Sequence, residues 1–265
     1  MTARETFRER YGPWALVAGA SEGLGAEFAR QIAARGLHLV LVARRGDLLE
    51  AVADELQSRH GVQTRTAVVD MGAADAPERL RAAAAGLEIG LAVANAAFAP
   101  VGPFLERPLG DALRAVDVNC RGPLAIAHVL GAAMAARGRG GLVLMSSLAG
   151  QQGSPGITAY AATKAFNTVL AEGLWAELRP LGVDVVVCTA GAILTPGFAQ
   201  ASTRRAPGSL PPGAVARAAL DALGHGPRVV PGPFNRVAAG LMARVLPRRT
   251  AIGIMAGQTG DLARG

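Results

Sequence analysis

Residues 14–45, WALVAGASEGLGAEFARQIAARGLHLVLVARR, decide the fold. An apolar run, Trp14 to Ala18, leads into a turn with glycines at 19, 23 and 25. A helical pattern follows from Ala26 to Arg35, Gly36 stops it, and Leu37 to Ala43 is a continuous apolar run of strand length. Gly19, Gly23 and Gly25 therefore sit between a strand and a helix in a first βαβ unit. Glycines there permit a tight bend and close backbone approach to a pyrophosphate resting on the helix N-terminus. An ordinary glycine-rich turn is the competing reading of the triplet, and the strand–turn–helix context favours the dinucleotide. The second strand runs out as Ala43-Arg44-Arg45, with no carboxylate before Asp47. An acidic residue at that point would suit the ribose 2′-OH of NAD, whereas arginine suits a 2′-phosphate. Arg44 is the candidate, with Arg45 and Ser21 in support, so NADP(H) is preferred over NAD(H). Either arginine also reads as a solvated loop charge.

Outward from this unit, the pattern keeps alternating. A helix is predicted near Leu48–Arg59, a strand at Val62–Val69, a helix at Asp75–Ala85 and a short strand at Leu91–Ala94. A long helical region covers Leu109–Arg137, with a kink expected near Gly122-Pro123, and a strand covers Leu142–Met145. Thr158 is the expected cap of a helix ending near Arg179, followed by a sixth strand at Val183–Cys188. Val215–Leu223 reads as a helix and Val229-Val230 as a last short strand. Strands apolar on both faces indicate a parallel sheet covered on both sides. The expectation is one α/β domain over 1–265, a Rossmann-type doubly wound parallel sheet of about seven strands. Within it, 190–225 is a Gly/Pro-rich lid and 233–265 a basic amphipathic tail.

Composition narrows the function classes. The 265 residues are 51% hydrophobic and 18% charged, with a mean hydropathy of +0.29, which excludes a largely disordered chain. No stretch is long and charge-free enough to span a membrane. The charged start, Met1 to Arg10, lacks an apolar core, so no secretory signal is read and a cytoplasmic setting is expected. Cys120 and Cys188 make no disulfide framework, and four scattered histidines make no metal site. Residues 1–200 carry 18 basic and 18 acidic side chains, so the net charge of +7 lies wholly in 201–265, where nine arginines face Asp221 and Asp261. Such a tail attracts an anionic partner, or reflects a preference for arginine in coding. Val237, Leu241 and Val245 form one helical stripe flanked by Arg236, Arg244, Arg248 and Arg249. Three roles fit it: peripheral contact with a membrane, a cover over an apolar cleft, or a subunit contact. No nucleic-acid motif or aromatic platform accompanies the charge, and nucleic acid is not expected as a partner.

Lys164 is the single lysine among 27 basic residues, and Tyr160, one of two tyrosines, lies four residues before it. On a helix the two share a face. A phenol with a pKa of ~10 is a sluggish catalyst at neutral pH, and an adjacent ammonium favours the phenolate. Such a pair can move a proton at a carbonyl oxygen while hydride moves at carbon. Ser146-Ser147 closes the fifth strand, where a hydroxyl can hydrogen-bond the same oxygen. Tyr-x-x-x-Lys alone also arises by chance in many helices.

Gly19-x-x-x-Gly23-x-Gly25, Asn95-Ala96, Asn119, Ser147, Tyr160-x-x-x-Lys164 and Gly191-x-x-x-Thr195 occur in that order, with thirteen residues from Ser147 to Tyr160. Over about residues 12–230 the chain resembles the short-chain dehydrogenase/reductase family. The resemblance implies a nicotinamide cofactor lying across the carboxyl edge of the sheet and an oxidoreductase acting on alcohols and carbonyls. It makes Tyr160 the general acid/base and Ser147 the group orienting the carbonyl. Lys164 would lower the tyrosine pKa and bind the nicotinamide ribose, and Asn119 would hold a water linking that lysine to solvent. By the same resemblance Asp70 contacts adenine, Asn95 lines the cofactor and Thr195 bonds the carboxamide, with Leu24, Met71, Ala96, Gly191 and Ile193 beside it. It also suggests a homodimer or homotetramer through the two long helices. The departures are Ala18 for a usual Thr, Ala94 and Ala97 in a usual Asn-Asn-Ala-Gly, and Ala190 for a usual Pro. Phe98, Phe104, Phe198 and the apolar tail suit a lipophilic ketone, whereas Arg204 and Arg205 suit an anionic acyl substrate. The alternative to an enzyme is an NADP(H)-binding redox sensor with little turnover.

Overall fold

A computed structural model describes residues 3–195 and 206–259. Seven parallel strands form one sheet in the order β3-β2-β1-β4-β5-β6-β7. They are β1 (Trp14–Ala18), β2 (His38–Ala43), β3 (Thr64–Val68), β4 (Ile89–Ala94), β5 (Gly140–Ser147), β6 (Val183–Ala190) and β7 (Arg228–Val229). The helices are α1 (Ala3–Tyr11), α2 (Gly23–Ala34), α3 (Gly46–His60), α4 (Ala76–Ala84), α5 (Leu109–Val116) and α6 (Gly122–Arg137). They continue with α7 (Thr158–Leu178), α8 (Pro212–Asp221), α9 (Pro233–Arg244) and α10 (Arg248–Thr259).

The period-two alternation of strand side chains divides the core into two layers. On β2, Leu39 and Leu41 join Phe28, Ile32, Leu49, Leu56 and Val215 on one face. Val40 and Val42 join Leu80, Ile126, Leu130, Met134 and Ala171 on the other. The helices that contribute to these two layers are thus held to opposite sides of the sheet, and the strand order reverses between β1 and β4. Ligands of open α/β sheets bind at the carboxyl ends beside such a reversal.

The structure sharpens several of these expectations. The irregularity expected near Gly122-Pro123 is a π-helical turn, Asp117–Arg121, that divides α5 from α6. Pro123 has no N–H, so the α-helical donor to the Asn119 carbonyl is missing, and the disturbance falls one turn before the proline. Thr158 is the first helical residue rather than the cap; Ile157 occupies that position, with no side-chain cap bond, because a turn from Ser154 with Gly156 at φ +79° delivers the chain there. Among the described residues the basic tail forms two helices, separated at Pro247. The charged N-terminal stretch forms α1, which sequence periodicity did not reveal. It is latched by Tyr11, whose hydroxyl donates to Asp184 Oδ2 at 2.7 Å, and by Arg10, which donates to Oδ1 at 2.9 Å.

Candidate active site

The turn after β1 is built around absent side chains. Gly19 (φ +80°) and Gly23 (φ +56°) adopt backbone that other residues rarely hold. A Cβ on Gly25 would lie 1.8 Å from the Gly19 carbonyl oxygen, so α2 starts directly beneath the turn. Asn95, at the end of β4, donates its side-chain amide to that same oxygen at 3.2 Å and ties the turn to the neighbouring strand.

Above this turn lies a cleft of about 310 Å³. Of the residues expected from sequence, Gly19, Ser21, Gly23, Leu24, Arg44, Arg45, Asp70, Met71, Asn95, Ala96 and Thr195 line it. Gly25 lies below it, Gly191 packs on Asn235 of α9, and Ile193 bridges to Leu210. Arg45 donates to Ser21 Oγ at 3.2 Å and pairs with Glu22 at 2.6 Å. Arg44 is exposed and makes no ion pair among the described residues.

Sequence reasoning missed Arg114 of α5, which also lines the cleft and donates to both Asp70 oxygens at 2.5–2.6 Å. Burial opposes the charge on Asp70, but the Gly72 N–H and the Arg114 guanidinium hold its carboxyl below the ordinary range. Asp70 therefore presents an ionised carboxylate, as an acceptor for an exocyclic amine requires. Arg204, Arg205 and Phe198 lie outside the described residues.

The second half of the site joins β5 to α7. Ser147 ends β5, and its Oγ accepts from the Ala149 N–H at 3.2 Å in the tight 3₁₀ turn Leu148–Gln151. A Cβ on Gly150 would come within 2.8 Å of the Lys164 backbone, so this turn presses on α7 and brings Ser147 to Tyr160. Burial pushes the Tyr160 phenol above its ordinary pKa, and a hydrogen bond with Ser147 pulls it back. At neutral pH the phenol keeps its proton.

The Lys164 ammonium sits 5.5 Å from the Tyr160 ring centroid and donates to the Met145 carbonyl at 3.1 Å. Burial lowers its pKa to about 8, with Cys120 nearby opposing the shift. The Asn119 carboxamide is occupied: it accepts from Phe98 N at 2.8 Å and donates to Phe98 O at 2.8 Å and Thr163 Oγ1 at 2.9 Å. Both amide hydrogens are spent, so this side chain clasps the segment after β4 to α7. Cys120 is a buried thiol that burial pushes up, with Lys164 pulling it down.

Burying an ammonium has a pH signature. The folded chain releases the Lys164 proton near 8, the unfolded chain only near 10.5. The folded state thus binds fewer protons between those values, and this site's contribution to stability rises with pH across that window. Below it, the buried charge costs on the order of 3 kcal/mol. Lys164→Met is expected to raise the urea midpoint at pH 7, with an advantage that shrinks as pH approaches 10. A midpoint difference independent of pH would contradict a buried ammonium.

A family profile described as short chain dehydrogenase matches residues 13–206. The 7beta-hydroxysteroid dehydrogenase of Collinsella aerofaciens is 35% identical over 192 residues, covering 72% of this chain and 73% of that protein. The very-long-chain 3-oxoacyl-CoA reductase of Pyricularia oryzae is 36% identical over 220 residues, covering 80% of this chain, which spans 65% of that protein's length. Among solved structures, a 7beta-hydroxysteroid dehydrogenase superposes with a TM-score of 0.89 at 30% identity, over 94% of this chain and 99% of that one. A short-chain dehydrogenase from Sphingobium yanoikuyae in complex with NADPH superposes with a TM-score of 0.78 at 27% identity, over 89% and 97%.

Proposed function

The chain belongs to the short-chain dehydrogenase family of oxidoreductases, and from that premise we propose that it interconverts a lipophilic ketone or aldehyde and its alcohol with NADP(H). The observation that carries this reading is the convergence of Ser147, Tyr160 and Lys164 at the carboxyl end of β5, beside the glycine-turn cleft. The cradle fits a nicotinamide dinucleotide: its glycines leave room for a pyrophosphate, and Asp70 stands ready for the adenine amine. When bound, the cofactor supplies or accepts the hydride.

The protein's own part is the proton. Tyr160, protonated at neutral pH, donates to the carbonyl oxygen as charge develops there, and Ser147 Oγ hydrogen-bonds the same oxygen. Lys164 holds a cation beside the ring and resupplies the proton. With both Asn119 amide hydrogens spent, the water relay to Lys164 is assigned to the Asn119 backbone carbonyl, from which Pro123 removes the α-helical donor. The preference for NADP(H) rests on Arg44, the guanidinium at the end of β2 with no ion pair among the described residues; the Glu22 carboxylate nearby is held by Arg45.

Two apolar surroundings support a lipophilic substrate. Tyr160 packs in a cluster with Ala149, Ile157, Val101, Met242 and Met255. A second cavity of about 240 Å³, mostly apolar, is walled by Pro100, Phe104, Leu109 and Thr158. A second copy of the chain fits the face where Leu109, Leu113 and Val116 of α5 and Val169 of α7 stand exposed. That face is rimmed by charges of both signs, Arg107 with Asp111 and Asp117 with Arg121. The deciding experiment is NADPH oxidation against a panel of steroid-like ketones, acyl thioesters and small aromatic carbonyls. Turnover is expected on the bulky apolar ketones. Tight NADPH binding with no turnover on any member would favour the redox sensor instead.

A further inference from the structure

Helix α9 has two apolar faces, and only one of them belongs to the fold. On the inner side Asn235 and Ala239 are buried, and Met242 joins the cluster around Tyr160. Asn235 donates to the Gly208 and Pro231 carbonyls, each at 3.0 Å. Arg248 donates to Gln151 O at 2.7 Å and Thr259 Oγ1 to Pro155 O at 2.5 Å, so α10 is fastened at both ends over the segment that follows Ser147. On the outer side Phe234, Val237, Leu241 and Val245 are 57%, 64%, 47% and 66% exposed. Their spacing of three, four and four residues aligns them in one stripe about 16 Å long.

The charge around this stripe has one sign. Arg244 stands beside it and Arg249 beyond its end, with Arg236 further round the helix and Arg248 turned to Gln151 O, and none of the four makes an ion pair among the described residues. No Asp or Glu occurs anywhere in 222–260. A two-fold contact between copies of this face would set arginines against arginines. The apolar face on α5 and α7, rimmed by both signs, has no such penalty.

We propose that the outer face of α9 docks the protein on an anionic phospholipid surface. The four apolar side chains enter the headgroup boundary, and Arg244 and Arg249 pair with lipid phosphates. The inner face of the same helix reaches the Tyr160 cluster, so the bilayer lies about one helix diameter from the carbonyl site. A lipophilic substrate dissolved in the membrane then has a short path to it. Docking itself needs no turnover, so this inference and the catalytic reading fail separately.

The test is co-sedimentation of the full chain with vesicles of mixed phosphatidylglycerol and phosphatidylcholine, with pure phosphatidylcholine as comparison. Binding to the anionic vesicles is expected, roughly tenfold weaker on the neutral ones and weakened again by raised salt. Val237→Asp with Leu241→Asp should lose about tenfold or more, with NADPH binding and turnover of a soluble ketone unchanged. Arg244→Gln with Arg249→Gln should lose the preference for anionic lipid, and this pair also serves if the first does not fold. Absent binding to anionic vesicles, or binding that both variant pairs retain, overturns the proposal. So does elution of the Val237/Leu241 variant as a smaller species without lipid, which would make the stripe a subunit contact.

Discussion

Tyr160→Phe is expected to reduce ketone turnover by about 10²- to 10⁴-fold while leaving NADPH affinity nearly unchanged. The substitution removes one hydroxyl and keeps the ring, whose partners Ile157, Val101 and Met255 hold it through apolar contact. The cleft that would take the cofactor is lined from the β1, β2, β3 and β4 ends, from Arg114 and Val118, and from Thr195, and Tyr160 is not among its lining residues. The loss should therefore fall on kcat. Ser147 stays in place and can still hydrogen-bond the carbonyl oxygen, but its hydroxyl is a far weaker acid at neutral pH. Stopped-flow turnover together with a fluorescence titration of NADPH separates the two effects. Turnover within a few fold of the unaltered protein would assign proton transfer to another group, and an equal loss in NADPH affinity would make Tyr160 a structural residue.

Arg44→Ala should shift the cofactor preference. A guanidinium bonded to a 2′-phosphate contributes about 1.5–3 kcal/mol, so NADPH affinity is expected to fall roughly ten- to hundredfold. NADH, which lacks that phosphate, should bind nearly as before. The contrast is sharpened by Arg45, which already serves Glu22 and Ser21 and is poorly placed to substitute. Titrating both cofactors against both proteins checks this, and equal losses for NADPH and NADH would remove Arg44 from the phosphate site.

The parts of the site that are local in sequence were legible there. The glycine turn is one: strand, turn and helix occupy a single contiguous stretch, and the needed φ values and close approach select glycine. The shared face of Tyr160 and Lys164 is another, because helical spacing alone puts them together. Arg114 was hidden because it meets Asp70 across 44 residues of chain, and nothing in local pattern links an arginine on α5 to a carboxylate after β3. The same holds for α1, whose charged sequence shows no clear apolar stripe and which is fixed by Tyr11 reaching Asp184, 173 residues away. The π-helical turn followed from Pro123, but the sequence marked the proline rather than the carbonyl it deprives. The ordinary pKa logic of a lysine beside a tyrosine also fell short: burial, which sequence does not display, dominates both groups.

The solitary lysine has a consequence of another kind. Its side chain is only 3% exposed, and every other cationic side chain in the sequence except the histidines is a guanidinium. Apart from the α-amino group, a folded molecule offers amine-directed reagents no accessible target, since acylating labels, aldehyde crosslinkers and lysine-specific proteases all require the one ε-amine packed behind β5. Their reaction at Lys164 would therefore clock the opening of the catalytic core itself, residue-specifically and without an introduced probe.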